Sequence, residues 1–105
     1  MSEPIEVCVS VPADHPSLPG HFPGQPVVPG VLLLERMLEA AEQEIGSQWL
    51  ITGLSQVKFL APLLPGETAT ATLEWTTASA IRFRIERAGR PIAQGALQIA
   101  AETGP

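Results

Sequence analysis

The chain has few of the residues that several common kinds of site require. Of its 105 residues, one is cysteine, two are histidine, and six are lysine or arginine against eleven aspartate or glutamate. A single cysteine excludes an intramolecular disulfide and a cysteine-based zinc site. Two histidines without ligand-spaced partners predict no other metal site. The net charge of −5 argues against general nucleic-acid binding, because contacts to phosphates need cations.

Long apolar runs are also missing, since none approaches the roughly 20 residues of a membrane-spanning helix. The first residues, Met1–Pro4, are acidic and lead into no apolar stretch, so we expect neither a signal peptide nor a membrane location. The length fits one domain over residues 1–105, and the lone cysteine fits the reducing cytoplasm. A core of this size favours an oligomer.

Hydrophobic periodicity predicts one helix and five strands. The helix spans Gly30–Ile45 and ends at Gly46, which suits a helix C-terminus. Its apolar stripe is expected at Val31, Leu34, Leu38, Ala41 and Ile45. The predicted strands are Ile5–Val11, Trp49–Leu60 with a bulge at Gly53, Thr68–Thr77, Ile81–Glu86 and Ile92–Ala100. Short turns join the last four strands, so the expected fold is α+β, an antiparallel sheet curled around one central helix.

A stiff segment rich in proline and glycine leads into the helix. Three prolines and two glycines lie between His21 and Gly30 inclusive, and each proline fixes one backbone angle. A stiff loop loses little entropy on folding, which suits a loop that must hold an imidazole in one place. Because an imidazole exchanges protons near neutral pH, His21 is a candidate general base. The alternative is a loop histidine that only donates structural hydrogen bonds.

The start of the helix contributes two further candidates. Glu35 lies four residues after Val31 and borders the apolar stripe, so we expect a partly buried carboxyl that could act as an acid. The alternative is that it reaches solvent beside Arg36. The N–H of Gly30 is among the first in the helix, which have no acceptor within it, and it suits a carbonyl oxygen that gains negative charge. Base, acid and oxyanion donor together form a coherent catalytic set.

These residues resemble a known family. The pattern His21-Phe22-Pro23-Gly24-x-Pro26-x-x-Pro29-Gly30-Val31-Leu32-x-x-Glu35 is similar to the signature of FabZ-type (3R)-hydroxyacyl-ACP dehydratases of the hotdog fold. Val57-Lys58-Phe59, followed by Pro62 and Pro65-Gly66-Glu67, resembles the family's next strand and turn. The resemblance covers roughly residues 5–100, and Glu35 distinguishes it from the sister FabA type, which has aspartate there.

The resemblance implies a role for each site residue. His21 would take the C2 proton of a 3-hydroxyacyl thioester, and Glu35 of a second subunit would assist departure of the 3-hydroxyl as water. The Gly30 N–H would polarise the thioester carbonyl, the Val27 carbonyl would orient the imidazole, and Val31 would line the substrate site. No metal or redox cofactor is implied. The substrate would ride on the phosphopantetheine arm of an acyl carrier protein.

Several alternatives stay open. The chain is shorter than a typical member, and short forms resemble dehydratases of aryl-polyene or pigment synthesis, some of which work beside a second hotdog subunit. A homodimer or a heterodimer is therefore expected. A hotdog thioesterase, or a partner subunit of a heteromeric dehydratase, is the alternative function. The acyl cavity is expected to be shaped by Leu33, Met37, Phe59, Trp75 and Phe83.

Four of the six basic residues fall close together in the sequence, at Arg82, Arg84, Arg87 and Arg90. One hypothesis is that this cluster steers an acidic carrier protein to the enzyme. The alternative is an ordinary solvated strand face.

Overall fold

The computed structural model describes residues 3–12 and 27–101. Its elements, in chain order, are β1 (Ile5–Ser10), α1 (Gly30–Ile45), β2 (Trp49–Phe59), β3 (Thr68–Thr77), β4 (Ala80–Arg87) and β5 (Arg90–Ala101). The helix has the bounds predicted from the sequence, and the strand ends differ from the prediction by one or two residues at most. No helix in these two ranges is long and apolar enough to cross a membrane.

The strands form one antiparallel sheet in the order β1-β3-β4-β5-β2. The helix packs closest to β1 and β2, which are the two outermost strands of the sheet. Both edges of the sheet therefore curl toward the helix, as the apolar helix required. The fold is α+β, with the antiparallel sheet wrapped around α1.

The core lies between the helix and the inner face of the sheet. Alternate residues of each inner strand are buried, which is the period-two pattern of a half-buried sheet. They include Ala69, Ala71, Leu73, Ile81, Phe83 and Ile85. On β1 the inner residues Val7 and Val9 are buried, and Val11 just after the strand is buried with them.

The predicted apolar stripe of the helix is partly wrong. The helix buries Leu32 and the row Leu33, Met37, Ala41 and Ile45. Leu34 and Leu38 are only half-buried, and Val31 is 70% exposed. The first half of the helix is apolar nearly all round, so periodicity there does not fix which side faces the sheet. Ala41 and Ile45, in the more polar second half, are buried as predicted, and Leu34 and Leu38 pack against the core with part of their surface exposed.

Two bulges interrupt β2. The first lies between Ile51 and Gly53, where the sequence predicted one at Gly53. The second lies between Ser55 and Lys58, where Gln56 takes the left-handed φ of 56°. A bulge adds one residue to one strand of a pair, so every later residue of that strand changes faces.

The second bulge decides where the end of β2 presents its side chains. After it, Lys58 pairs with Gln94 on the outer face of the sheet. Phe59 pairs with Ala93, which is fully buried on the inner face. The bulge therefore turns Phe59 toward the helix and Lys58 away from it.

Candidate active site

The N-terminus of α1 is held in place by its neighbour in space, the turn after β2. The N–H of Val28 donates to the carbonyl of Leu63 at 2.8 Å. Inside the helix the first hydrogen bond runs from the Leu33 N–H to the Pro29 carbonyl at 3.0 Å. The N–H groups of residues 30–32 therefore have no acceptor within the helix and lie at its positive end. The predicted oxyanion donor, the Gly30 N–H, is one of them.

An open apolar cleft lies at this end of the helix. It is lined by Val28, Gly30, Val31, Leu33, Phe59, Leu60, Ala61, Pro62 and Leu63. The ring of Phe59 lies directly against Gly30, because a Cβ built on Gly30 would approach the ring Cζ to 2.7 Å. Phe59 is nevertheless 53% exposed. One wall of the cleft is thus a half-exposed ring that packs directly on the first residue of the helix.

The second wall of the cleft is the segment after β2. Leu60 and Ala61 both donate their N–H to the Ile92 carbonyl, at 2.8 and 3.3 Å. Leu63 is buried in the core while its carbonyl holds Val28. The sequence predicted only a turn here, from Pro62, Pro65 and Gly66. The apolar run Leu60–Leu64 inside that turn was the available signal that it lines something.

Glu35 follows Val31 by one helical turn on the same side of α1, and both side chains are exposed in the single chain. The burial expected for Glu35 is therefore not found within one chain. The apolar residues before it lie on several sides of the helix, and the core takes a different side. Val27 is half-buried at the start of the helix segment. His21 lies outside the described residues.

Of the five residues expected to shape an acyl cavity, two line the cleft, Leu33 and Phe59. Met37 and Phe83 are fully buried in the core instead. Trp75 packs edge to face on Trp49, with 5.0 Å between the ring centroids. Trp49 begins β2 just after the C-terminal end of α1, whereas the cleft lies at the N-terminal end, so this pair of rings is far from the cleft. These three residues do not line the cleft of the single chain.

Arg36 makes a contact that the sequence did not indicate. Its Nε donates to the Ser10 carbonyl at 2.9 Å and is half-buried there. A second nitrogen lies 3.7 Å from the Glu39 carboxylate. The contact with Ser10 ties the helix to the last residue of β1, an edge strand with a row of unpaired backbone groups. It joins residues 26 positions apart, which local sequence patterns do not report.

The arginines between residues 82 and 90 do not form one patch. Arg87 is held by Glu67 at 3.1 Å and donates to the Thr68 carbonyl at 2.8 Å. Arg82 and Arg84 project from the outer face of β4, each 3.7 Å from a glutamate. Within residues 3–12 and 27–101, no three histidine, cysteine, aspartate or glutamate side chains gather as metal ligands.

Comparison with known proteins decides the family. Residues 1–96 match the family model described as ApeI-like, ApeI dehydratase. The chain belongs to the ApeI-like dehydratase family. It is also 33% identical to the 3-hydroxyacyl-(acyl-carrier-protein) dehydratases FabZ of Klebsiella pneumoniae and Cronobacter sakazakii. Those matches cover 71% of this chain and 57% of each FabZ, so the chain spans little more than half the length of these relatives.

Solved structures show that the fold is the hotdog fold of these enzymes. The dehydratase heterocomplex ApeI:P of Xenorhabdus doucetiae matches with a TM-score of 0.78 and 24% identity, over 95% of this chain and 89% of that one. The fluoroacetyl-CoA thioesterase FlK matches with a TM-score of 0.66 and 20% identity, over 97% and 87%. The fold is thus shared by dehydratases and thioesterases and does not distinguish between them.

Proposed function

We propose that this protein removes water from a (3R)-hydroxyacyl thioester carried on acyl carrier protein and forms the trans-2-enoyl thioester. The observation that carries the proposal is the cleft at the N-terminus of α1. There the Gly30 N–H lies beside an apolar wall, and Glu35 projects from the same side of the helix as Val31. Membership of the ApeI-like family supports the same chemistry.

Each group has a role that the reaction needs. The C2–H of a thioester is weakly acidic, so His21 removes the proton while the Gly30 N–H stabilises the charge that builds on the carbonyl oxygen. The C2–H electrons form the double bond to C3, and the C3–O bond breaks. Hydroxide is a poor leaving group, so Glu35 donates a proton and water departs. The Val27 carbonyl orients the imidazole, and Val31 contacts the acyl chain.

A second subunit is part of the proposal. Within residues 3–12 and 27–101, the exposed large apolar side chains are Val31, Leu50, Leu54, Phe59, Leu60 and Leu64. Most lie on the edge strand β2 or around the cleft, and such an edge invites pairing with another chain. Pairing along β2 would extend the sheet and cover the cleft, so that the partner's Glu35 faces His21. The ApeI:P heterocomplex makes a second hotdog chain a suitable partner as well as another copy of this one.

The proposal includes no metal or redox cofactor, because elimination of water needs only proton transfers and charge stabilisation. The substrate rides on the phosphopantetheine arm of the carrier in the cytoplasm. The pathway is fatty-acid-like or aryl-polyene synthesis.

The test is a product assay on the purified chain, alone and with a hotdog partner. A 3-hydroxyacyl thioester on acyl carrier protein should yield the enoyl thioester. Release of free thiol without enoyl product would favour the thioesterase and contradict the proposal. If the chain alone gives no turnover but the chain with its partner dehydrates the substrate, this chain is one subunit of a heteromeric enzyme.

Within that assay, Glu35→Gln should lower turnover by about 10²–10⁴-fold, the range for loss of a general acid. Glu39→Gln is the matched control, because Glu39 lies one turn further along the same helix and is also exposed. It should leave turnover near the wild-type value. Equal effects of the two changes would remove Glu35 from the mechanism.

A further inference from the structure

The connection between β2 and β3, residues 60–67, is hydrogen-bonded to two parts of the chain that are far apart in the sequence. Its Leu63 carbonyl accepts the N–H of Val28, and its Gly66 N–H donates to the Val11 carbonyl, both at 2.8 Å. The side chains of Val11 and Val28 are buried. Two points on one short connection therefore fix the chain just after β1 and just before α1.

These two fixed positions flank the stretch of sequence that carries His21. Val11 lies ten residues before His21, and Val28 lies seven residues after it. A stretch of chain whose two ends are held has fewer conformations open to it than one whose ends are free. Because a shift of about 1 Å in a reacting group can cost about 10²-fold in rate, the separation of the two flanks bears on turnover.

Glu67 closes the connection on itself. Its Oε1 accepts the N–H of Leu64 at 2.9 Å, and its own N–H donates to the Leu64 carbonyl at 3.1 Å. Between these two residues lies Gly66, whose φ of 86° is left-handed. The reciprocal pair therefore sets the shape of the turn from which Gly66 holds Val11 and which Leu63 directly precedes.

Arg87 holds the other oxygen of the same carboxylate. Its Nε lies 3.1 Å from Glu67 Oε2, and its Nη1 donates to the Thr68 carbonyl at 2.8 Å. The Glu67 side chain is 29% exposed, against 52% for Glu74, whose arginine lies 3.7 Å away. Charge-assisted contacts of this kind are stronger than long, exposed ion pairs. Glu67 is thus held through both of its carboxylate oxygens.

We infer that Glu67 is a positioning residue for the dehydration. By closing the connection between β2 and β3, it sets the separation of the two flanks of the stretch that carries His21. The inference rests on the proposed function, in which His21 is the base. Glu67 contacts no reacting atom in that mechanism and acts only through the hydrogen bonds of the connection.

The test measures kcat and KM of Glu67 variants with one 3-hydroxyacyl group on acyl carrier protein. The protein is assayed in whichever form is active, alone or with its hotdog partner, and at a temperature at which unfolding curves show each variant to be folded. Glu67→Ala should lower kcat about tenfold or more, with KM within about twofold of wild type. Glu67→Gln keeps an oxygen for the Leu64 N–H, so its kcat should return to within about threefold of wild type.

Two control variants separate positioning from charge and from stability. Glu74→Ala changes the net charge as Glu67→Ala does and also removes an arginine's partner, but it lies outside the connection. Ile81→Val removes one carbon from a fully buried side chain near the start of β4, whereas Arg87 ends that strand. It should lower the unfolding temperature without altering the connection. Both controls should keep kcat and KM within about twofold of wild type.

Other outcomes would overturn the inference. Wild-type kcat in Glu67→Ala, or a loss no larger than in either control, would mean that the connection does not position the site. A rise in KM at unchanged kcat would assign Glu67 to substrate binding. A kcat in Glu67→Gln as low as in Glu67→Ala would show that the charge matters and not the Leu64 contact.

The remaining outcomes are also distinguishable. If Glu67→Ala does not fold, Glu67→Ser replaces it, because serine suits turns and its side chain is too short for the Leu64 contact. It should show the same loss of kcat at unchanged KM, and wild-type kcat would contradict the inference. Absence of enoyl product from the wild-type protein would instead reject the proposed function.

Discussion

Two glycines of this protein each lie under a phenylalanine ring, one in the core and one at the cleft. A Cβ on Gly95 would approach the Phe83 ring to 2.8 Å, and a Cβ on Gly30 would approach the Phe59 ring to 2.7 Å. The contacts are alike, but Phe83 is 0% exposed and Phe59 is 53% exposed. In the core the close approach serves packing. At the cleft it places a half-exposed ring, with solvent on one side, against the first residue of the helix.

The largest expected effect separates the two rings. Phe83→Ala should lower the free energy of unfolding by about 3–5 kcal/mol, because it leaves a cavity in a packed core. Phe59→Ala should lower it by about 1 kcal/mol or less, since half of that ring is already in water. Urea unfolding of the two variants measures the difference. Equal losses would mean that Phe59 is also a core residue, and the comparison would fail.

The glycines should separate in the same way. Gly95→Ala should cost about 1–3 kcal/mol, because the added methyl meets a fully buried ring and also lies 3.2 Å from the Ser55 carbonyl. Gly30→Ala should change stability by less than about 1 kcal/mol, because the Phe59 ring can move and alanine favours the helix. Unfolding curves measure both. A large loss in Gly30→Ala would show that the cleft is as rigid as the core.

Turnover should respond in the opposite order to stability, with the larger loss in Gly30→Ala and the smaller loss in Gly95→Ala. In Gly30→Ala the displaced ring and new methyl group disturb the oxyanion site, so turnover should fall about tenfold or more even though the protein stays folded. The Gly95→Ala protein, assayed at a low temperature at which it is folded, should keep most of its turnover. Initial rates of enoyl formation under conditions where both variants are folded measure this. Wild-type turnover in Gly30→Ala would show that the close approach of the Phe59 ring to residue 30 does not matter for catalysis.

The contact of Arg36 with the Ser10 carbonyl should contribute less stability than a core ring and more than an exposed ion pair. Arg36→Met should lose the hydrogen bond to the Ser10 carbonyl and about 1 kcal/mol of stability. Glu39→Gln removes only the exposed partner at 3.7 Å and should cost less than about 0.5 kcal/mol. Thermal unfolding of both variants tests this, and equal effects would assign the role of Arg36 to its ion pair.

The smallest effect is expected at the second bulge of β2. Gln56→Gly removes the strain of a left-handed φ of 56° in the folded state, but it also raises the conformational entropy of the unfolded chain. Because the two effects nearly cancel, the free energy of unfolding should stay within about 1 kcal/mol of wild type. Gln56→Val should be clearly destabilising, because a β-branched residue tolerates this φ poorly. Urea unfolding of the pair measures the cost of the bulge that turns Phe59 inward. A valine variant as stable as the glycine one would contradict this reading of the bulge.

The sequence predicted the elements well because their signals are local. Alternation along Thr68–Thr77 and the change to helical period at Gly30 need no knowledge of the rest of the chain. The buried side of α1 was not predictable from the same signal, because Val31–Leu34 are all apolar. Nor was the bulge at Gln56, which contains no glycine.

The sequence named single residues of the candidate site but not the surface that holds them. Gly30, Val31, Leu33 and Phe59 line the cleft, whereas the wall Leu60–Leu63 is held there by hydrogen bonds to Ile92 and Val28 that sequence patterns do not report. Glu35 is exposed in one chain, although its sequence neighbours suggested burial. The apolar residues before Glu35 cover several sides of the helix, so they do not show which side is buried.

The central claim is that one active site combines His21 of one subunit with Glu35 of the other, and subunit mixing tests it most directly. His21→Ala and Glu35→Gln chains carrying different tags are coexpressed, and the mixed dimer is purified through both tags. If the site is shared between subunits, one of the two active sites of the mixed dimer contains both wild-type residues. The mixed dimer should then show about half the wild-type turnover, although each variant alone is inactive. A mixed dimer as inactive as its parents would place both groups in one chain and contradict the account.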